Sequence, residues 1–167
     1  SISLRVFLKN MEKKWFVIYT KPHQELKVSE KLSAIGITNY CPTITLLKQY
    51  SDRKKKVKKP LLSSYVMVYL IESERNQVFS LAGVVRYLFY LGKPAIVSSY
   101  EISMMQDHLN GLYNDIKVTT LLVGQTFKIQ EGPFSGIFGK VVETGNTKVK
   151  LQLASLGVCI TLKKQAA

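Results

Sequence analysis

The chain has 167 residues, of which 46% are hydrophobic, so it can bury a core as one domain or as two small ones. Its 24 basic and 11 acidic residues give a net charge of +13, which favours polyanionic partners through attraction to phosphate. No apolar run is long enough to span a bilayer, and Cys41 and Cys159 lack metal-ligand spacing. We therefore expect a cytoplasmic monomer without membrane contact, metal or cofactor.

The first third of the chain carries strand and helix signals. Residues 1–10 lack the pattern of a cleavable leader, and Met11 looks like a natural start, so we expect residues 1–10 to be an extension outside the fold. Trp15 to Thr20 is an apolar and aromatic run typical of a buried strand. Pro22 then predicts a helix start, and Gly36 predicts its left-handed cap after an apolar stripe of helical spacing.

The next segment combines β-forming residues with a dense basic run. Ile37 to Tyr50 is rich in β formers, with Pro42 marking a bulge or an edge. Six of the seven residues from Arg53 to Lys59 are basic. Like charges this dense cannot be packed, so we expect a mobile hairpin tip or loop, which either contacts nucleic acid or only aids solubility. Tyr65 to Leu70 again reads as a strand.

Helices and strands continue to alternate up to residue 113. Ser73 to Ala82 predicts a short helix, and Val84 to Leu91 predicts a very apolar strand. Ser98 and Glu101 have the spacing of a capping box, in which the serine accepts from the glutamate N–H and the glutamate reaches back. An amphipathic helix follows. Residues 114–120 have no strong periodicity and are the best candidate linker.

Residues 124–140 carry the most specific pattern of the chain. A strand from Thr126 to Gln130 runs into a proline turn, and glycines then recur at three-residue spacing. Because glycine adopts positive φ without a Cβ clash, this pattern suits a tight crossing between two strands, although an ordinary hairpin with a glycine bulge is the plainer alternative. It closely resembles the KOW motif of small β-barrels that bind RNA, ribosomal proteins or transcription factors. The motif residues are Gly132, Pro133, Phe134, Gly136 and Gly139.

Several short segments before this motif follow one another in a recognisable order. They are Trp15 to Pro22, Tyr40 to Thr43, Pro60 to Val68, Gly83-Val84 and Pro94 to Val97. Their order, followed by the KOW motif, resembles the NusG family of transcription elongation factors. The resemblance implies an α+β protein with an NGN α/β sandwich and antiparallel sheet in residues 11–113, the linker at 114–120, and a KOW β-barrel in residues 121–167. Its many β-branched residues also favour a barrel in the free chain.

Two departures from the family pattern indicate a specialised member. The family usually has Phe-Pro-Gly or Phe-Pro-Asn before the tyrosine of the third strand, where this chain has Leu62-Ser63-Ser64. A basic residue often follows the Lys-Pro pair, where this chain has His23. Together with the basic run, these departures suggest kinship with the RfaH and UpxY-like paralogues, which act on particular operons.

The family resemblance also implies partners and site residues. It implies that the NGN domain binds the clamp helices of RNA polymerase and suppresses pausing or termination, and that the KOW domain binds Rho or a ribosomal small-subunit protein. The polymerase-binding positions are Tyr19, Tyr65, Met67 and Tyr87, whose plainer interpretation is core. The candidate contacts to non-template DNA or nascent RNA are Lys21, His23, Gln24, Lys27, Arg53, Lys54, Lys55, Lys56, Lys58 and Lys59.

Enzymatic interpretations have little support from the sequence. His23 and His108 are the only histidines, and no nucleotide-binding glycine pattern follows a strand. We therefore expect no catalytic site. The rival to a polymerase-bound antitermination factor is a ribosome- or RNA-binding KOW protein that does not act on polymerase.

Overall fold

The computed structural model describes residues 2–109, 111–120, 140–144 and 148–164. Within them the chain has the predicted mixed α+β architecture. The chain forms two compact units, one made of Ser1–Cys41 with Leu62–Val97 and the other of Pro42–Leu61 with Ser98–Ala167. These units do not follow the predicted boundaries, because a hairpin from the middle of the chain belongs with the C-terminal residues.

Short elements make up both units. The helices are α1 (Ile2–Asn10), α2 (Glu25–Ala34) and α3 (Ser99–His108), with 3-10 helices at Glu72–Ser80 and Ala154–Leu156. The strands of the first unit are β1 (Lys14–Thr20), β2 (Thr38–Tyr40), β5 (Tyr65–Leu70), β6 (Val84–Tyr87), β7 (Phe89–Tyr90), β8 (Lys93–Pro94) and β9 (Ile96–Val97). Those of the second unit are β3 (Thr43–Gln49), β4 (Lys54–Pro60), β10 (Leu112–Thr120), β11 (Lys140–Thr144), β12 (Lys148–Leu153) and β13 (Val158–Lys164). The helix over residues 2–10 falls in the predicted extension.

Strand β1 organises the first unit. It pairs antiparallel with β5 on one side and with β6 and β9 on the other, and β2 pairs with β5. Phe16 and Ile18 of β1 form the core with Val28 and Leu32 of α2, each at most 1% exposed. Val17, between them in sequence, is also fully buried, so β1 is covered on both faces at its centre. This explains its nearly continuous apolar sequence.

Helix α2 begins later than Pro22 predicts. His23 has a φ of 63°, which a right-handed helix cannot accommodate, so the helix begins at Glu25, after Gln24. At the other end the prediction is confirmed: Gly36 has a φ of 83° and lies in the left-handed region just beyond the helix.

The basic segment was predicted as a hairpin tip or loop, and it is mostly a strand of a hairpin, with Arg53 in the turn. β4 pairs antiparallel with β3 from Gln49↔Lys54 to Thr43↔Pro60, and the Tyr50 N–H donates to the Arg53 carbonyl at 2.7 Å in the turn. Dense charge does not prevent this pairing, because the main chain makes the ladder while lysine ammonium groups stay in water. Val57, the apolar residue of the run, lies half-buried opposite Leu46.

Residues 114–120, predicted as a linker, lie in β10. This strand pairs antiparallel with β13 from Tyr113↔Lys164 to Thr120↔Val158, and over two residues it pairs parallel with β3. The described strands of the second unit therefore form one sheet in the order β11-β12-β13-β10-β3-β4. The partner of β10 lies far along the chain, so local sequence gave little sign of it. The KOW motif residues, Gly132, Pro133, Phe134, Gly136 and Gly139, lie outside the described residues, and the closed barrel stays a prediction.

The capping box of α3 is confirmed and extends beyond the helix. The Ser98 hydroxyl accepts from the Glu101 N–H at 3.1 Å, and the Glu101 carboxylate accepts from the Ser98 hydroxyl at 2.9 Å. The same buried carboxylate accepts from the Ser155 hydroxyl, in the turn between β12 and β13. Glu101 thus fixes both the start of α3 and its attachment to the C-terminal strands.

We expect Glu101→Ala to lower the free energy of unfolding by about 1–3 kcal/mol, because it leaves the hydroxyls of Ser98 and Ser155 without this acceptor in a buried site. The control is Asp107→Ala, which removes an exposed carboxylate from the same helix and should change stability by less than about 0.5 kcal/mol. Urea denaturation of the two variants measures the difference, and equal stabilities would contradict the role assigned to Glu101.

Candidate functional site

Tyr19 and Tyr65 form a partly exposed aromatic pair on the sheet of the first unit. They lie opposite each other in the register of β1 and β5, with ring centroids 5.6 Å apart and planes at 62°. Arg86 lies opposite Tyr19 on the other neighbouring strand, β6, and its guanidinium carbon is 5.5 Å from the Tyr19 ring centroid. Edge-to-face packing and the cation–π contact hold the rings in place. We call these three residues the tyrosine–arginine cluster.

Met67 and Tyr87, predicted to line the same surface, belong to the core instead. Met67 is 0% exposed and lies opposite Val17, at the point where β1 is covered on both faces. Tyr87 is 4% exposed, and its hydroxyl donates to the Arg75 carbonyl at 2.7 Å. The core interpretation is therefore correct for these two residues. Because Tyr87 points inward, its neighbour Arg86 points outward, and alternation along β6 could have identified it.

The segment Leu62-Ser63-Ser64 connects the cluster to the start of α2. Ser64 has a φ of 69°, which glycine or asparagine adopts more readily than serine. The Glu25 carboxylate accepts from the Ser64 N–H at 2.8 Å, and the Ser64 carbonyl accepts from the Thr20 N–H at 2.7 Å. The divergent segment thus keeps the left-handed turn that Gly or Asn would favour at this position, and it holds the strand that carries Tyr65.

Four predicted nucleic-acid contacts lie beside the start of α2. Lys21, His23 and Lys27 are exposed, and Gln24 is half-buried without a side-chain capping bond. The first helical residue, Glu25, is 6% exposed and already places a carboxylate in the first turn. That carboxylate opposes the attraction of a helix N-terminus for phosphate, so any anion here depends on the basic side chains and not on the helix end.

The remaining predicted contacts lie on the hairpin β3–β4 and its turn. Arg53, Lys54, Lys55, Lys56 and Lys58 are exposed, and Lys59 is half-buried. Alternation places Lys54, Lys56 and Lys58 on one face of the strand and Lys55 and Lys59 on the other. The six predicted residues therefore cannot all contact one surface through their strand positions.

The family model described as "Transcription termination factor nusG" matches residues 13–106, more than half of the chain and inside the predicted NGN range. The chain belongs to the NusG family. Members of this family are transcription factors and not enzymes. The chain is 27% identical over 164 residues to the transcription termination/antitermination protein NusG of Streptococcus pyogenes serotype M3, which covers 90% of this chain and 91% of that protein.

Two further comparisons gave matches over most of the chain. The NusG protein of Treponema pallidum is 27% identical over 165 residues, covering 86% of this chain and 89% of that protein. The solved structure titled "Domain interaction in Thermotoga maritima NusG" aligns with a TM-score of 0.44 and 19% identity over 93% of this chain and 95% of that one. Among the described residues, no helix combines the length and apolarity needed to cross a membrane.

We expect Tyr87 and Tyr40 to ionise late in an alkaline titration. Burial raises the pKa of Tyr87 from 10.0 to about 12, although the nearby Arg75 cation lowers it in part. Burial, with a smaller contribution from Cys41, likewise raises the pKa of Tyr40 to about 12. The folded state thus binds these protons more tightly than the unfolded state. Their contribution to stability is complete below pH 10 and is lost as the pH rises towards 12.

Tyrosinate absorbance measures this titration, and Tyr87→Phe should remove part of the late component. A late component unchanged by Tyr87→Phe would contradict the burial of this ring.

Proposed function

We propose that this chain binds the clamp helices of RNA polymerase through the tyrosine–arginine cluster and suppresses pausing or termination, acting on particular operons. The observation that carries the proposal is the partly exposed Tyr19–Tyr65 pair beside Arg86. It occupies two of the positions that family resemblance assigns to polymerase binding. Membership of the NusG family supports the transcriptional role.

The cluster has the chemistry of a protein-binding anchor. Tyrosine and arginine dominate the energetics of protein interfaces, because they bury large areas and still donate hydrogen bonds. Here the rings are held by each other and by the guanidinium, so little side-chain entropy remains to be lost when a partner binds. Two side chains on adjacent strands of a sheet covered at its centre make a rigid platform for a helical partner.

The exposed basic residues supply the nucleic-acid part of the proposal. Lys21, His23 and Lys27 at the start of α2, with Gln24, are suited to contact the non-template DNA strand, and the hairpin lysines are suited to DNA or nascent RNA. Lysine contacts to phosphate position a complex without reading its sequence. Selection of an operon therefore falls to His23 and Gln24, whose side chains offer base-edge hydrogen bonds.

The wider proposal assigns modules to the sequence. We propose residues 11–113 as the polymerase-binding NGN module and residues 121–167 as a KOW module that recruits a second protein, either Rho or a ribosomal small-subunit protein. The segment Leu62-Ser63-Ser64 and the basic hairpin favour a specialised factor of the RfaH or UpxY-like kind over a general one.

We expect Tyr65→Ala to weaken binding to bacterial RNA polymerase by roughly 30-fold, as for loss of an aromatic anchor of about 2 kcal/mol, and to abolish the antipausing effect in transcription in vitro. Tyr65→Phe keeps the ring and should retain most of the polymerase binding and most of the antipausing effect. Tyr50→Ala removes an exposed tyrosine elsewhere and serves as the matched control.

The same transcription assay separates the alternatives. Loss of pausing that requires one upstream sequence would support a recruited factor, whereas loss of pausing on every template would contradict operon specificity. If the protein neither binds polymerase nor changes pausing, but binds structured RNA with an affinity that Tyr65→Ala leaves unchanged, the ribosome- or RNA-binding alternative replaces the proposal.

A further inference from the structure

The sheet of the second unit has two chemically distinct sides, which the hairpin β3–β4 shows first. On one side Ile44 and Leu46 are buried, at 1% and 5% exposure. On the other side Thr45 lies opposite Lys58, Leu47 opposite Lys56 and Gln49 opposite Lys54. Directly opposed residues in an antiparallel pair point the same way, so this second side is lined by exposed lysines.

The two sides of the hairpin continue onto β10. Leu112 pairs with Thr45 on the lysine side, and Tyr113, 4% exposed, pairs with Leu46 on the buried side. A register shift between Tyr113 and Asp115 then adds one residue to β10. After that shift Asp115 lies opposite Lys163 and Lys117 opposite Thr161.

The C-terminal strands complete the surface. Lys148 lies opposite Lys163, and Lys150 opposite Thr161. Between them in sequence, Val149, Leu151, Ile160 and Leu162 are buried at 2% exposure or less. From β4 to β12 the buried positions thus share one side, on which Val118, Lys48 and Lys55 are the exposed exceptions. The lysines that share the exposed side, here called the lysine face, are Lys54, Lys56, Lys58, Lys117, Lys148, Lys150 and Lys163.

The charge of this face is strongly positive within the described part of the chain. All of its lysines are exposed. Asp115 is the one carboxylate at an outward strand position of β3, β4, β10, β12 and the described part of β13, and none of the lysines has a carboxylate within 4.0 Å among the described residues. A surface with seven lysines and one carboxylate attracts a polyanion.

We infer that the lysine face binds the phosphate backbone of duplex DNA, through both the hairpin β3–β4 and strands β10, β12 and β13. No outward strand position described here carries an aromatic side chain, so the face lacks the stacking platform that single strands use. The lysine face runs across five strands, from β4 to β12, and at a spacing of about 4.8 Å it is roughly 19 Å wide. That width spans a major groove of about 12 Å, with phosphates on both sides of it.

This inference shares the hairpin lysines with the proposed function and adds the strands of the C-terminal part. It is tested on the full chain without polymerase, by fluorescence anisotropy with a labelled blunt DNA duplex of random sequence across a series of salt concentrations. Tyr65→Ala should leave this binding unchanged, so failure of the polymerase proposal and failure of this one give different results.

Three triple variants carry the test, each exchanging lysines for glutamine. The hairpin set is Lys54→Gln, Lys56→Gln and Lys58→Gln, and the far set is Lys148→Gln, Lys150→Gln and Lys163→Gln. The control set, Lys13→Gln, Lys48→Gln and Lys93→Gln, removes the same charge from exposed positions off the face. Thermal unfolding confirms that each variant is folded.

We expect the hairpin and far sets each to reduce the slope of log affinity against log salt by roughly 2 to 3, since each lost phosphate contact lowers it by about 0.9. The control set should keep the wild-type slope. A wild-type slope in the far set would overturn the inference, and so would an equal reduction of the slope in the control set. Tighter binding to the single DNA strand or the matching RNA than to the duplex would overturn the assignment to duplex DNA.

Discussion

The antiparallel register of β1 with β5 is the constraint on which the candidate site depends. It sets Tyr19 opposite Tyr65 and Val17 opposite Met67. A slip of one residue would move every side chain of one strand to the other face and would exchange core for surface. Because Phe16 and Ile18 pack against α2 on one face, the register is fixed, and it places the partly exposed Tyr19–Tyr65 pair on the opposite face.

In the second unit the alternation of side chains along the strands places lysines on one side of the sheet. In β4 the main chain satisfies its hydrogen bonds with β3, so lysines can follow one another without being packed. These lysines repel one another. Water and salt weaken the repulsion, and a bound polyanion would cancel it. A strand with this many lysines, none of them in an ion pair with another described residue, is poorly suited to a role in stability alone. An electrostatic surface explains its composition better than packing does.

Local patterns predicted local structure well. The Ser98–Glu101 spacing gave the start of α3, and Gly36 gave the end of α2, because both signals act within one helical turn. Non-local features were missed. The partner of residues 114–120 is distant in sequence. Nothing in the sequence of β5 shows that Met67 is buried while Tyr65, on the same face, stays partly exposed. Alternation along β6 indicates that Arg86 points outward, but its contact with Tyr19 depends on the register between the two strands and was missed.

The most direct test is a double-mutant cycle on the affinity of the full chain for bacterial RNA polymerase, using Tyr19→Ala, Tyr65→Ala and both together. If the two rings act as one binding platform, each single variant loses most of the affinity and the double variant loses little more. Wild-type affinity in both single variants, with each protein folded, would show that polymerase is bound elsewhere or not at all.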